Sequence, residues 1–137
     1  MEPFGRYLKQ ANNNLIRQFD KFAKQYDLTG NQMAIIDFLS NHPEKEQFQL
    51  DIEQEFEIQR STTTVLLQRM EKKGLIKRHT STKDARQKSV ILTEKARNIA
   101  SACHIYLLEE VEDFNQRFTD EERAHFFKII HHYRNRK

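Results

Sequence analysis

Residues 74–93 constrain the fold of this chain more than any other segment. Gly74 follows a polar helical stretch, and glycine readily adopts the positive φ that ends a helix. Residues 75–80 and 89–93 are rich in β-branched and apolar side chains, whereas residues 81–88 between them are mostly charged or polar. This pattern predicts two short antiparallel strands joined by an exposed charged loop, with a long helix beginning directly after the second strand.

A polar helix over residues 59–73 is predicted to precede this hairpin. Four of its residues recur at positions i, i+3, i+4 and i+7, which indicates a buried face made of Thr63, Leu66, Leu67 and Met70. The opposite face carries hydroxyl, amide and basic side chains. A polar helix followed by a basic β-hairpin is the outline of a winged helix-turn-helix. The expected fold class is therefore mainly α with a small β-hairpin wing.

Long amphipathic helices are expected at both ends of the chain. Seven apolar residues recur at steps of three and four along the first 26 positions. Residues 29–32 and 119–122 have the Thr-x-x-Gln and Thr-x-x-Glu spacing of a capping box, which marks a helix start. Helices this long around a small middle need a partner surface, and a two-fold homodimer is the simplest one. We expect a single domain, 1–137, with dimerisation helices at 1–27 and 94–137 and a winged helix-turn-helix region at 28–93.

Positive charge is concentrated in the middle of the chain. Between residues 59 and 97, eleven lysines and arginines stand against three acidic residues, a net charge of +8. The whole chain carries +3, so the remaining residues sum to −5. Such a concentration is typical of a surface that meets a polyanion, and the alternative is a solvated basic face without a partner.

Composition also indicates the cellular environment. The single cysteine, Cys103, excludes an intrachain disulfide and fits a reducing cytoplasm. No apolar run reaches the roughly 20 residues needed to cross a membrane. The first residues lack the apolar stretch of a signal peptide. We therefore expect a cytoplasmic protein without membrane association.

The helix over residues 59–73 is the predicted DNA-reading element, because the second helix of a helix-turn-helix lies in the major groove. Arginine suits guanine, glutamine suits adenine, and hydroxyl groups suit phosphates or either base. Lys72 and Lys73, near the helix end, are expected to contact phosphates, which position a protein without specifying sequence. Val65 and the Thr64 methyl could contact thymine methyl groups. The predicted contact residues of this helix are Arg60, Ser61, Thr62, Thr64, Val65, Gln68 and Arg69.

The hairpin loop supplies a second set of DNA contacts. Arg86 is the candidate minor-groove finger, because a guanidinium gains from the negative potential of a narrowed groove. Asp84, two residues earlier, could brace Arg86 or simply order the turn. The predicted contact residues of the wing are Lys83, Asp84, Arg86 and Lys88.

These motifs together resemble the MarR family (multiple antibiotic resistance type) of transcriptional regulators, over nearly the whole chain. The strongest element is Asp84-x-Arg86-x-x-x-Val90-x-Leu92-Thr93, preceded by Leu67-x-x-Met70-Glu71-x-x-Gly74-Leu75-Ile76-x-Arg78. Arg60-Ser61-Thr62 and Leu28-Thr29-x-x-Gln32 support it. The resemblance implies a dimer whose first and last helices form the dimer core, with a winged module on each side. It also implies binding to a palindromic promoter site in double-stranded DNA, usually as a repressor.

This sequence departs from the family pattern around the third and fourth helices. The family usually has glycine at the position of Glu57, a small residue at Glu53, and serine or threonine at Phe48 and Gln59. Val65 stands where a polar or basic residue is common. Glu53 and Glu57 bring acidic groups close to the DNA-facing surface and are expected to loosen the turn between the two helices.

The resemblance further implies a response to small phenolic or lipophilic ligands, in a pocket between the dimer helices and the winged module. Ordinary core packing is the alternative for the candidate lining residues. A redox role for the cysteine is disfavoured, because it lies on an apolar stripe and reactive thiols need a polar, electropositive setting. The six histidines are scattered, so no metal site or other cofactor is predicted. The candidate pocket residues are Phe19, Phe22, Tyr26, Met33, Ile36 and Cys103.

An enzyme and a protein–protein interaction module are the two other functional classes to compare with a DNA-binding regulator. An enzyme has no support, because the chain lacks a glycine-rich phosphate loop, a nucleophile beside a base and a convincing carboxylate dyad. A winged-helix protein–protein interaction module is the alternative. A wing that docks on protein would present apolar residues in place of Lys83, Arg86 and Lys88. We therefore predict a sequence-specific regulator, a dimeric repressor released by a small-molecule effector.

Overall fold

The computed structural model describes residues 1–137 and has six α-helices and one β-hairpin. The predicted fold class, mainly α with a small β-hairpin wing, is confirmed. The chain divides into two compact units, Met1–Ser101 and Ala102–Lys137. The elements are α1 (Phe4–Lys24), α2 (Gly30–Ser40), α3 (Gln49–Phe56), α4 (Arg60–Lys72), β1 (Ile76–Thr80), β2 (Lys88–Leu92), α5 (Glu94–Arg117) and α6 (Asp120–Asn135).

The start of α2 is held by two sets of capping contacts. Thr29 Oγ1 accepts a hydrogen bond from the backbone N–H of Gln32 at 3.2 Å, and Gln32 Oε1 accepts one from the Thr29 N–H at 3.1 Å. The predicted capping box is therefore confirmed. Asp20 of α1 also accepts from the N–H of Gly30 at 2.8 Å. A Cβ at Gly30 would collide with this carboxylate, so glycine there leaves room for Asp20 to cap α2.

The apolar core of the first unit lies among α2, α3, α4 and the hairpin. Met33, Ile36, Ile52, Leu67 and Met70 are fully buried there. As predicted, α4 turns its i, i+3, i+4, i+7 face inward, although Leu66 is only half-buried. Each fully buried side chain of this size contributes roughly 1.5–3 kcal/mol to folding, so this face fixes the rotation of α4 about its axis.

The strand bounds differ from the prediction by one residue: β1 begins at Ile76 rather than Leu75, and β2 is Lys88–Leu92 rather than 89–93. Leu75 and Thr93 are outside the strands because they close the adjoining helices. The two strands pair in antiparallel register from Ile76 opposite Leu92 to Thr80 opposite Lys88. Leu75 instead donates its N–H to the Met70 carbonyl at 3.0 Å, which closes the end of α4 together with the positive φ of Gly74. Thr93 Oγ1 donates to the Gly74 carbonyl at 2.6 Å. It also accepts from the third N–H of α5 and so caps that helix.

The second unit contains the later part of α5 and all of α6. Thr119 Oγ1 accepts from the Glu122 N–H at 3.1 Å, and Glu122 Oε1 accepts from the Thr119 N–H at 2.9 Å, which confirms the second capping box. The Thr119 backbone N–H, and after it the Thr119 side chain, hold the pKa of the Glu122 carboxyl below its usual value. The rings of Phe118, Phe126 and Phe127 all lie within 5.8 Å of the Phe114 ring, centroid to centroid. None of the helices has the length and apolar character that a membrane-spanning helix needs.

Candidate nucleic-acid interface

The polar side of α4 carries the predicted contact residues. Six of them are exposed and one, Thr64, is half-buried. Thr63 is fully buried instead, and its hydroxyl donates to the Gln59 carbonyl at 2.9 Å. The run of three threonines is therefore divided between core and surface. The exposed residues are Arg60, Ser61, Thr62, Val65, Gln68 and Arg69.

The hydroxyl of Thr64 is engaged within the protein. It donates to the Arg60 carbonyl at 2.9 Å and accepts from Gln49 Nε2 at 2.8 Å. A hydroxyl group has one proton and two lone pairs. The proton and one lone pair of Thr64 are already used, so one lone pair and the methyl group remain for a further contact. Gln49 was not among the predicted site residues. Sequence spacing contains no signal for it, because its contact depends on how α3 crosses α4.

The two lysines at the end of α4 are placed differently from one another. Both Lys72 and Lys73 are exposed. The ammonium group of Lys73, however, donates to the backbone carbonyl of Asp27 and lies 4.0 Å from the Asp27 carboxylate. Lys73 therefore links the end of α4 to the turn after α1, whereas the structure gives Lys72 no such partner.

At the tip of the wing, Asp84 contacts Arg86 through both backbone and side chain. Asp84 Oδ1 accepts from the Arg86 N–H at 3.0 Å and from its Nε at 3.2 Å. The Arg86 N–H, and after it the guanidinium, hold the pKa of the Asp84 carboxyl below its ordinary value of 3.8. The Arg86 side chain is itself 90% exposed. Asp84 thus orders the turn and braces Arg86 while leaving the guanidinium in solvent.

The base of the wing is anchored to the segment that precedes α3. Ser81 Oγ donates to Glu46 Oε2 at 2.9 Å. Ser81 Oγ also accepts hydrogen bonds from the backbone N–H groups of Lys83 and Asp84 at 3.1 and 3.2 Å. Ser81 is buried, so this hydroxyl connects the wing loop to the body of the first unit.

A groove of about 330 Å³ lies between the first turns of α3 and α4 and the wing. Four of its lining residues are basic and one, Glu53, is acidic. The groove joins Arg60, at the start of the predicted DNA-reading helix, to residues of the wing in one positively charged surface. It is lined by Phe48, Gln49, Leu50, Glu53, Arg60, Arg78, Arg86, Gln87, Lys88 and Val90.

The turn between α3 and α4 contains an unusual backbone conformation. Glu57 has φ 50° and ψ 49°, the left-handed region that an L-residue other than glycine rarely adopts. Its N–H donates to the Glu53 carbonyl and closes α3. At the other end of α3, Phe48 has no side-chain acceptor, and Asp51 alone provides capping by accepting the Phe48 N–H at 2.8 Å.

The residues predicted to line an effector pocket differ in exposure. Met33, Ile36 and Cys103 are fully buried, whereas Tyr26 is 37% exposed. On α1 the half-buried Phe22 contacts two other rings, at 6.2 Å from Phe19 and 5.5 Å from Tyr26, centroid to centroid. No three histidine, cysteine or carboxylate side chains come together as a metal-binding group.

A helix-turn-helix made of α3 and α4, followed by an antiparallel hairpin, defines a winged helix-turn-helix protein. The sequence profile of the MarR family matches residues 26–87. The crystal structure of the transcription regulator MarR from Oenococcus oeni PSU-1 is 44% identical in sequence, with a TM-score of 0.85. The similarity covers 97% of this chain and 99% of that one. This chain therefore belongs to the MarR family of transcription regulators.

Two more distant structures share the fold. S. aureus MepR in a complex with DNA has a TM-score of 0.88 at 20% identity, covering 97% of this chain and 96% of MepR. The transcriptional regulator SlyA has a TM-score of 0.85 at 17% identity, covering 97% of this chain and 92% of SlyA. No curated protein sequence matches this chain.

Proposed function

We propose that this chain is a sequence-specific DNA-binding regulator, a dimeric repressor of a palindromic promoter site that a small-molecule effector releases. The observation that supports this most directly is the groove between α4 and the wing. Arg60, Arg86 and Lys88 line it together. Arg60 of α4 and the basic residues of the wing therefore lie on one continuous surface.

In this proposal α4 enters the major groove and the wing reaches the adjacent minor groove. Arg60 and Gln68 contact base edges, and Lys72 contacts a phosphate. Arg86, braced by Asp84, inserts its exposed guanidinium into the minor groove. S. aureus MepR, which shares the fold, has been solved as a complex with DNA, and this supports DNA as the partner in the proposal.

The helices outside the winged region, residues 1–27 and 94–137, are proposed to form the dimer. Phe4 and Leu15 of α1 are 56% and 53% exposed. In the second unit Phe126, Phe127 and Ile129 are 45–54% exposed. Large apolar side chains on long helices need cover, and a second copy of the chain provides it with matching faces. A two-fold dimer would also place two α4 helices against the two halves of a palindrome.

The effector is proposed to be a small phenolic or lipophilic molecule. The row of rings on α1 and the partly exposed Tyr26 offer an apolar and aromatic surface for such a ligand. Met33 and Ile36, both buried in the first unit, are the candidate inner wall. Release of DNA requires that the effector bind more tightly to a conformation that does not fit the operator.

The test is fluorescence anisotropy with DNA from the protein's own promoter and with a scrambled sequence, each across a salt series. We expect tighter binding to the promoter and a steep decrease in affinity with salt, since phosphate contacts release counterions. Equal and weak binding to both DNAs would leave only charge attraction. The winged-helix protein–protein interaction module would then be the better assignment.

A further inference from the structure

We propose that Gln49, which lies outside the predicted DNA-reading helix, is a specificity-determining residue that accepts a hydrogen bond from a base amine in the major groove. This inference rests on the proposed function and names one contact within it. The chemical group recognised is the exocyclic amine of adenine or cytosine.

The Gln49 amide has a defined orientation. Its Nε2 donates to the Arg60 carbonyl at 3.3 Å and to Thr64 Oγ1 at 2.8 Å. A 180° flip of the amide would place Oε1 against the Arg60 carbonyl, so that two acceptors would face each other. The two acceptors are themselves only 2.9 Å apart, so they lie on one side of the amide nitrogen. The NH₂ group is therefore turned toward the first turn of α4, and the carbonyl oxygen is directed away from these two partners.

The carbonyl oxygen of Gln49 is the part of this side chain that the fold does not use. None of the hydrogen bonds within the protein is accepted by it, whereas the Nε2 group has two partners. Gln49 also lines the basic groove, together with Arg60 of α4 and Arg86 of the wing. A free acceptor thus stands among donors at the surface proposed to meet DNA.

A carbonyl at this place selects its partner by chemistry. Phosphate oxygens are acceptors and cannot pair with it. In the major groove the donors are the N6 amine of adenine and the N4 amine of cytosine, whereas guanine and thymine present acceptors there. The carbonyl of Gln49 therefore favours adenine or cytosine at one position of each half-site.

Single-base-pair operator variants measured by anisotropy provide the first test. Wild-type protein should prefer adenine or cytosine at one position by roughly 2- to 12-fold, the range for a single hydrogen bond. Gln49→Ala should remove the preference at that position and leave the others unchanged. Gln54→Ala, an exposed neutral residue on the same helix, is the matched control and should leave every preference intact. If Gln49→Ala does not fold, the bulkier Gln49→Met replaces it.

Removal of the base amine provides the second test. With adenine the substitute is purine, and with cytosine it is the pyrimidinone without the N4 amine. The modified base should weaken DNA binding by the wild-type protein by the same roughly 2- to 12-fold. It should not change the affinity of the Gln49→Ala variant. If Gln49→Ala weakens binding to all sequences equally, Gln49 only clamps α3 to α4 and the inference is wrong. An unchanged preference profile would also overturn it. A wild-type protein that does not distinguish operator from scrambled DNA would overturn the proposed function itself.

Discussion

Replacing Glu57 by glycine should stabilise the protein, because this residue holds a left-handed backbone conformation with φ 50° and ψ 49°. A Cβ in this region costs about 1–2 kcal/mol through its approach to the following carbonyl oxygen. Glycine avoids that cost, but it gains conformational freedom in the unfolded chain, which offsets about 0.4–1 kcal/mol. The expected net gain for Glu57→Gly is therefore roughly 0.5–1 kcal/mol.

Thermal unfolding measures this gain directly. Unfolding entropies near 2.1 cal/mol/K per residue convert 0.5–1 kcal/mol into an increase in Tm of about 2–4 °C for a chain of this length. Protein concentration has to be held fixed, because the Tm of a dimer depends on it. The measurement is made without DNA. Otherwise, loss of the Glu57 carboxylate near the proposed DNA interface would change the Tm through its effect on DNA binding.

Two further variants separate backbone strain from charge. Glu57→Ala removes the carboxylate but keeps the Cβ, so it should lack the gain. Asp27 is the other non-glycine residue with positive φ, at 60°, and aspartate tolerates this region better than glutamate. Asp27→Gly should therefore raise the Tm by less. A Glu57→Gly protein no more stable than Glu57→Ala would refute the strain argument.

Three other predictions concern the wing and the dimer. Arg86→Ala should weaken promoter binding by about 1–3 kcal/mol while the Tm stays the same, and an unchanged affinity would refute the wing contact. Truncation after Thr93 should abolish dimerisation in analytical ultracentrifugation, and a surviving dimer would refute the helical dimer core. The Asp84 carboxyl should titrate below its ordinary pKa of 3.8 in an NMR experiment. Because the folded-state pKa is lowered, the brace contributes fully above about pH 3.8 and is lost as the pH falls through the folded-state pKa. Arg86→Ala should raise the Asp84 pKa only in part, since the backbone N–H, the larger cause, remains.

Features specified by residues close together in sequence could be predicted well. The capping boxes at Thr29 and Thr119 depend on groups three residues apart, and both occur as predicted. The buried face of α4 follows from helical spacing, which places Thr63 in the core among apolar residues. The contact between Asp84 and Arg86 also spans only two residues. In each case local geometry decides the contact, so chain order contains enough information.

Contacts between elements could not be predicted, because they depend on how closely two elements approach. Gln49 reaches Thr64 across 15 residues of sequence, and Ser81 reaches Glu46 across 35. The hydroxyl of Thr64 was therefore expected to be available to DNA, although the approach of α3 to α4 engages its proton. The same approach leaves the carbonyl of Gln49 without a partner in the groove. A residue that reads a base need not lie on the helix that enters the groove, provided that a neighbouring helix directs its free acceptor there. Sequence patterns of a single helix omit such residues, and only the packing of α3 against α4 identifies Gln49 as a candidate.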